Sequence, residues 1–296
     1  MNRRAIIGSL GALLFSAGAA VGIGRLVGKK PAVSGARRLV SLSPAITETV
    51  LALGGGDELV GVSDYCTLPA GTQRPRVGSS LTPNYEAIAG LHPSLILSDG
   101  SAGSKQRELG ALAKCMVLPW LTLADVVGST KTLGQVLGRS AAGNGLAQKL
   151  DARLSRRPAP DAPRVLLLLS YDPDRPAEIW FIRPNSLHGA ALNAAGARNA
   201  VAHDVPGLPR LSAEQLLELD PDQVFIIPAP GATLELKRQM LAAFARFTTL
   251  RAVKESRLAV VKGNESVGPS ILQLVDSLAL MLQKMAGPRP AGGFID

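Results

Sequence analysis

The chain has 296 residues, 46% of them hydrophobic and 4% aromatic, with 32 Lys and Arg against 23 Asp and Glu for a formal charge of +9. That length suits about two domains, and the apolar content excludes wholesale disorder. No clustered Lys/Arg helix and no aromatic–basic RNA pattern accompanies the charge, so nucleic acid is not expected as a partner; a generally basic surface is the plain reading, with a membrane surface or an anionic ligand as alternatives.

The first element is an export segment. MNRR precedes AIIGSLGALLFSAGAAVGIG, uncharged from Ala5 to Gly24. A basic start, an apolar run and the small residues Ala17-Gly18-Ala19 form a signal with a cleavage site, and Arg3-Arg4 resembles the twin-arginine export pattern. An uncleaved anchor is the competing reading, since the run approaches the ~20 residues that span a bilayer. Both place the folded part outside the cytoplasm. No Cys follows the run, so a lipid anchor is not expected. Residues 1–24 are thus signal or anchor and 25–37 a linker.

Short apolar strands then alternate with helices, which predicts a parallel α/β lobe over residues 38–120. Residues 38–42 (RLVSL) read as a strand. Ser43 is placed to cap, and Pro44 to open, a helix that Gly54-Gly55-Gly56 stops. Strands at 59–62, 95–97 and 116–118 and helices from 83 and over 104–113 complete the lobe. Over 121–157 apolar residues recur at helical spacing, predicting one long connecting helix, with an interruption expected near Gly143-Asn144-Gly145. A second α/β series fills 163–287: strands at 165–169, 179–182, 224–227 and 258–261, and helices at 186–194, 235–244 and 269–285. The tail, 288–296, is expected to be disordered.

One phrase occurs twice. NYEAIAGLHPSLIL at 84–97 and SAEQLLELDPDQVFI at 212–226 align at an offset of 128, pairing Glu86 with Glu214, Ile88 with Leu216, Leu91 with Leu219, Pro93 with Pro221 and Ile96 with Val224. A helix–Pro–strand connection is common by itself. Five matches at one offset, in corresponding places of two similar halves, argue for two pseudo-symmetric lobes. Such lobes leave a ligand cleft where the carboxyl ends of their strands face each other.

Chemistry-bearing motifs are scarce. There is no G-x-S-x-G, no H-E-x-x-H and no phosphate-binding loop. His92, His188 and His203 do not make a metal set, and His92 sits in the turn where the second copy has Asp220. The expectation is a binder without catalytic residues, metal or cofactor. Cys66 and Cys115 are the two cysteines, and a disulfide and two free thiols both fit.

RRLVSLSPAITETVLALGGGDELVGVSDYCTLPAG, then PRVG and PNYEAIAGLHPSLIL, and the closing RAVKESRLAVVKGN resemble the extracytoplasmic binding proteins that deliver cobalamin, haem and ferric siderophores to ABC importers, and most resemble the cobalamin branch. The resemblance spans residues 38–285. It implies two Rossmann-like lobes with central parallel sheets, joined by one long backbone helix around a ligand cleft, with small closure motions because a helix is a stiff hinge. It also implies a monomer serving a permease dimer and its ATPase, with Glu86 and Glu214 docking against permease arginines. A first-turn Glu that merely complements the helix dipole is the alternative, and at Glu214 a Ser212/Gln215 capping box makes it concrete. The resemblance places Tyr65 against the ligand. Ser43, Pro44 and Ala45 follow the first strand and should edge the cleft, while Tyr171 and Trp180 resemble cleft-facing aromatics, with ordinary packing as their alternative. Two departures stand out: Ser79-Ser80-Leu81 and VPGLPRLS lack tryptophans that the cobalamin branch carries. Arg183 and Arg210, if they face the cleft, favour an anionic ligand such as a siderophore or a haem carboxylate. A membrane-tethered ligand sensor on the same fold is the further alternative.

Overall fold

The computed structural model describes residues 37–176, 178–203, 208–229, 231–263, 267–287 and 294–295. The export segment and most of the linker lie outside the described residues. In the first lobe β1 (Leu39–Ser41), α1 (Pro44–Ala52), β2 (Leu59–Val62), α2 (Tyr85–Gly90), β3 (Leu95–Ser98), α3 (Gln106–Leu112) and β4 (Lys114–Val117) alternate as expected. The strands form one parallel sheet in the order β2-β1-β3-β4.

The second lobe contains β5 (Arg164–Leu169), β6 (Ile179–Trp180), α6 (Leu187–Ala195), β7 (Arg198–Asn199), β8 (Arg210–Leu211), α7 (Ala213–Leu219), β9 (Gln223–Ile227), α8 (Leu234–Phe244), α9 (Arg251–Lys254), β10 (Leu258–Val260), α10 (Ile271–Met285) and β11 (Phe294–Ile295). Its parallel sheet runs β11-β10-β9-β5-β7, so β7, β5, β9 and β10 repeat the order of β2, β1, β3 and β4. Two expectations change here. The segment expected as one strand to residue 182 pairs antiparallel with β8 over only two residues. The tail expected to be disordered contributes β11, which pairs parallel with β10.

The repeat is structural as well as sequential. Asn84 and Ser212 cap α2 and α7, each side chain accepting from the backbone N–H three residues on. Both helices end in a left-handed residue before the proline, His92 at φ +43 and Asp220 at φ +36, and His and Asp tolerate that region better than most side chains. Arg38 and Arg164 enter β1 and β5 and donate from their guanidinium groups to the carbonyls of Leu91 (2.7 Å) and Leu219 (2.5 Å), so each satisfies an orphan carbonyl at a helix end. The backbone N–H groups of the same two arginines donate to Ser94 Oγ (3.0 Å) and Asp222 Oδ2 (2.8 Å). Leu91, Ser94, Leu219 and Asp222 keep the 128-residue offset.

The connection is not the single long helix that apolar spacing predicts. It is a hairpin of α4 (Leu123–Val136) and α5 (Ser140–Leu154), turning through Leu137, Gly138 and Arg139, with Gly138 at φ +70. Periodicity cannot see a turn this short. Gly143 and Gly145 lie inside α5 rather than at the break, and a Cβ on Gly134 would come within 2.7 Å of the Gly143 Cα, so the two helices touch backbone to backbone.

Alternate strand residues enter different cores, as pleating requires. Leu39, Leu95, Leu97, Val165, Leu167, Phe225 and Ile227 join Val126, Leu133, Leu150, Leu154, Leu274 and Leu278 in one cluster that runs through both lobes and the hairpin. Val40 and Ile96 face α2 and α3 in a second cluster, and Leu166, Leu168, Val224 and Ile226 face α7 and α8 in a third. The shared core makes the hairpin part of the protein's packed interior rather than a tether. Arg139 adds an ion pair to Glu58 at 2.7 Å, beside a second from Arg37 at 3.4 Å.

Candidate functional site

The loops that follow the strands' carboxyl ends meet across the two lobes. Trp120, beyond β4, donates its indole N–H to the Val267 carbonyl at 3.0 Å, and Glu48 of α1 accepts hydrogen bonds from Ser270 at the start of α10. In open α/β sheets ligands bind at these ends.

On the first-lobe side, Ser43 is buried, and its carbonyl accepts from Ser41 Oγ at 3.2 Å and from the Thr47 N–H at 3.0 Å. Ser43 takes the extended conformation of a helix cap, yet its side chain makes no cap bond. Pro44 is half-buried as the first helical residue, and Ala45 is 4% exposed. These three build the strand–helix turn, and only Pro44 offers appreciable surface. Tyr65 is the opposite case at 76% exposed. Its loop is fixed: Asp64 accepts the Gly78 N–H at 3.0 Å and returns its own N–H to the Gly78 carbonyl at 2.9 Å. Gly78, at φ +80, opens the turn carrying Leu81, and a Cβ there would lie 2.1 Å from the Thr82 carbonyl oxygen. Lys105 Nζ closes on the Leu81 carbonyl. Tyr65 and Leu81 therefore stand on adjoining loops that are already ordered.

On the second-lobe side a hollow of about 530 Å³ is lined by Leu169, Trp180, Ile182, Arg183, His188 and Leu208, among others. Trp180 is 36% exposed and also borders a neighbouring hollow of about 280 Å³ with Tyr171, Asp172 and Arg175. All residues lining the two hollows come from the second lobe, so Ser43, Pro44, Ala45 and Tyr65 are not drawn into either. Arg183 lines the larger hollow, and Arg210 stands opposite Trp180 in the β6–β8 pair.

Tyr171 departs from the cleft-facing role. Its ring is 2% exposed, packs edge-on against Phe244 at 5.3 Å between centroids, and its hydroxyl donates to the Pro176 carbonyl at 3.1 Å. Burial pushes its pKa up to about 12. The residue lies just past β5, whose four central residues are buried, and turns back into the core. It packs there while also bordering the smaller hollow.

Glu86 and Glu214 each take the second position of a helix opening from the carboxyl-end side, and both are exposed. Neither has an ion-pair partner among the described residues. The capping box anticipated at Ser212 and Gln215 is present. Cys66 and Cys115 are free thiols, Cys66 buried and donating to Thr47 Oγ1 at 3.1 Å, and burial raises the pKa of both. Among the described residues no three His, Cys, Asp or Glu side chains converge on a metal position, and His92 is exposed in its turn.

Sequence reasoning passed over Leu81, Leu121 and Leu208, which are 63–79% exposed in the loops around this edge, and Glu48, the cross-lobe acceptor. A large aliphatic residue in a Ser-, Gly- or Pro-rich loop was the available signal for the leucines. Nothing local marks Glu48.

Known proteins share this architecture. A cobalamin-binding protein of Halobacterium salinarum is 31% identical over 201 residues, 63% of this chain and 53% of that protein, so the chain spans about half the length of this relative. An uncharacterised ABC transporter substrate-binding lipoprotein of Bacillus subtilis is 25% identical over 82% of this chain and 79% of its own. Among solved structures, a periplasmic haem-binding protein of Pseudomonas aeruginosa superposes with a TM-score of 0.67 at 26% identity, covering 84% of this chain and 92% of that one. The periplasmic vitamin B12 binding protein of Vibrio cholerae shares the fold, with a TM-score of 0.64 at 24% identity over 85% and 98%. Residues 39–264 match the periplasmic binding protein family, and the chain belongs to it.

Proposed function

We propose that the protein is an extracytoplasmic receptor that captures a small molecule between its lobes and hands it to an ABC importer, with cobalamin or a related corrinoid as the ligand. The observation that carries this reading is the second-lobe hollow with Trp180 exposed at its edge, set where ligands bind in such folds. A corrin offers a broad face that Trp180 and the ordered Tyr65 loop can cover at small entropic cost. The relatives named as cobalamin-binding support the choice.

Haem or a ferric siderophore is the second reading, and a specific observation favours it. Arg183 lines the hollow, and a guanidinium suits a carboxylate-bearing ligand. The partner is a permease dimer with its ATPase, the receptor acting as a monomer exported by its N-terminal signal. Glu86 and Glu214, equivalent by the repeat and both exposed, suit a two-fold symmetric partner bearing arginines. The role assigned is binding, not catalysis.

Cyanocobalamin, haemin and a ferric hydroxamate titrated into the protein, followed by tryptophan fluorescence, test the reading. Saturable quenching by cyanocobalamin at micromolar concentration, lost in Trp180→Ala, is expected. Saturation by haemin or the hydroxamate alone transfers the assignment to the second reading, and no saturation by any of the three overturns both.

A further inference from the structure

We propose that Glu48 is a positioning residue for ligand binding, tying α1 of the first lobe to the start of α10 in the second and so setting how far the cleft opens. The consequence for ligand rests on the receptor reading above, whereas the tie itself does not.

The Glu48 carboxylate accepts the backbone N–H of Ser270 and, at 3.0 Å, its hydroxyl. Ser270 stands immediately before the 15-residue α10, whose dipole favours a negative charge there. The acceptor is charged, which makes these bonds stronger than neutral ones. Gly268 folds over the same carboxylate: a Cβ on it would lie 2.6 Å from Oε2 and 2.8 Å from Cδ. A side chain at 268 would therefore displace Glu48. Val267, the neighbouring residue, receives the Trp120 indole N–H, and Trp120 is only 7% exposed.

First-lobe groups from two separate elements thus hold one four-residue segment of the second lobe. A rigid opening of the lobes away from α10 must break both contacts. Glu48 lies one helical turn beyond Pro44, on the helix that begins at the cleft edge. The position of that edge relative to the second lobe therefore passes through Glu48. The α4–α5 hairpin joins the lobes covalently, and this clasp is a second, breakable link.

Glu48→Gln removes the charge, and Gly268→Ala keeps it but fills its place. In a Trp180→Phe background Trp120 is the sole tryptophan and reports the contact in ligand-free protein. Both variants are expected to red-shift its emission. Both should also speed hydrogen exchange at the Ser270 amide by at least about tenfold, the scale of a lost bond to a charged group. With Trp180 intact, cyanocobalamin or haemin, whichever binds the parent, should dissociate about tenfold faster from either variant at nearly unchanged association rate, as for a loosened closed state. Emission and exchange unchanged in both variants overturn the tie, and faster exchange with unchanged dissociation overturns the positioning role. Should Glu48→Gln fail to fold, Gly268→Ala decides alone. If cyanocobalamin, haemin and the ferric hydroxamate all fail to bind the parent, the receptor reading fails while the ligand-free measurements still decide the tie.

Discussion

Replacing Gly134 by Ala sets two physical effects against each other. Inside an exposed helix the change stabilises by about 1 kcal/mol, because Gly loses more backbone freedom on folding. At Gly134 the new Cβ would meet the Gly143 Cα at 2.7 Å and the Arg139 carbonyl oxygen at 3.1 Å, and neither is a side chain that can swing away. The helices must part by roughly half an ångström or more, and overpacking of that kind costs ~1–3 kcal/mol. The net expectation is neutral to ~2 kcal/mol destabilising. Gly145, on the exposed side of α5 with nothing within 4 Å of its Cβ position, supplies the control. Gly145→Ala should stabilise by ~0.5–1 kcal/mol. Urea unfolding of the three proteins, compared at equal slopes, measures both differences. Gly134→Ala raising the midpoint as much as Gly145→Ala would refute the close approach of the helices, and with it the hairpin as a rigid joint.

Three further outcomes follow. Tyr171, with its pKa pushed up to about 12 by burial, should ionise last of the tyrosines; the unfolded chain loses that proton near pH 10, so its contribution is intact below pH 10 and is lost between pH 10 and 12, costing ~2–3 kcal/mol in all, as absorbance at 295 nm and alkaline unfolding should reveal. Asp125, held below its ordinary pKa chiefly by the Thr122 backbone N–H, contributes above pH 4 and loses that contribution as the pH falls; Thr122→Ala should cost ~0.5–2 kcal/mol at neutral pH by thermal unfolding. Cys66 and Cys115, raised by burial and free, should react slowly with a disulfide reagent at pH 8 in the native protein and yield two thiols in urea, and a yield of none would contradict the free state.

The repeat was the most informative stretch of the sequence, because each of its residue types has a local job. Asn84 and Ser212 cap, Leu and Ile fill one helix face, Pro follows a left-handed turn, and Glu86 and Glu214 are left exposed. Alternating apolar strands likewise announced both parallel sheets. The hairpin was misread because Leu133, Val136 and Leu137 continue a helical period up to the turn, and a single Gly138 among several glycines does not stand out. Site geometry was harder still. Tyr171 and Trp180 look alike in sequence, each an aromatic at or near the end of a short apolar segment, yet one turns into the core against Phe244 and the other stays at the surface. Glu48 is tied to Ser270 across 222 residues, a distance over which no local pattern operates.

If two pseudo-symmetric lobes form one binding cleft, a bound ligand touches both of them. Hydrogen exchange with and without saturating cyanocobalamin or haemin, on the full chain, addresses it directly. Bound ligand should protect the loop containing Tyr65 and the Gly78–Leu81 turn in the first lobe together with Trp180 to Arg183 in the second. Protection confined to one lobe, or lying away from the carboxyl ends of both sheets, would contradict it.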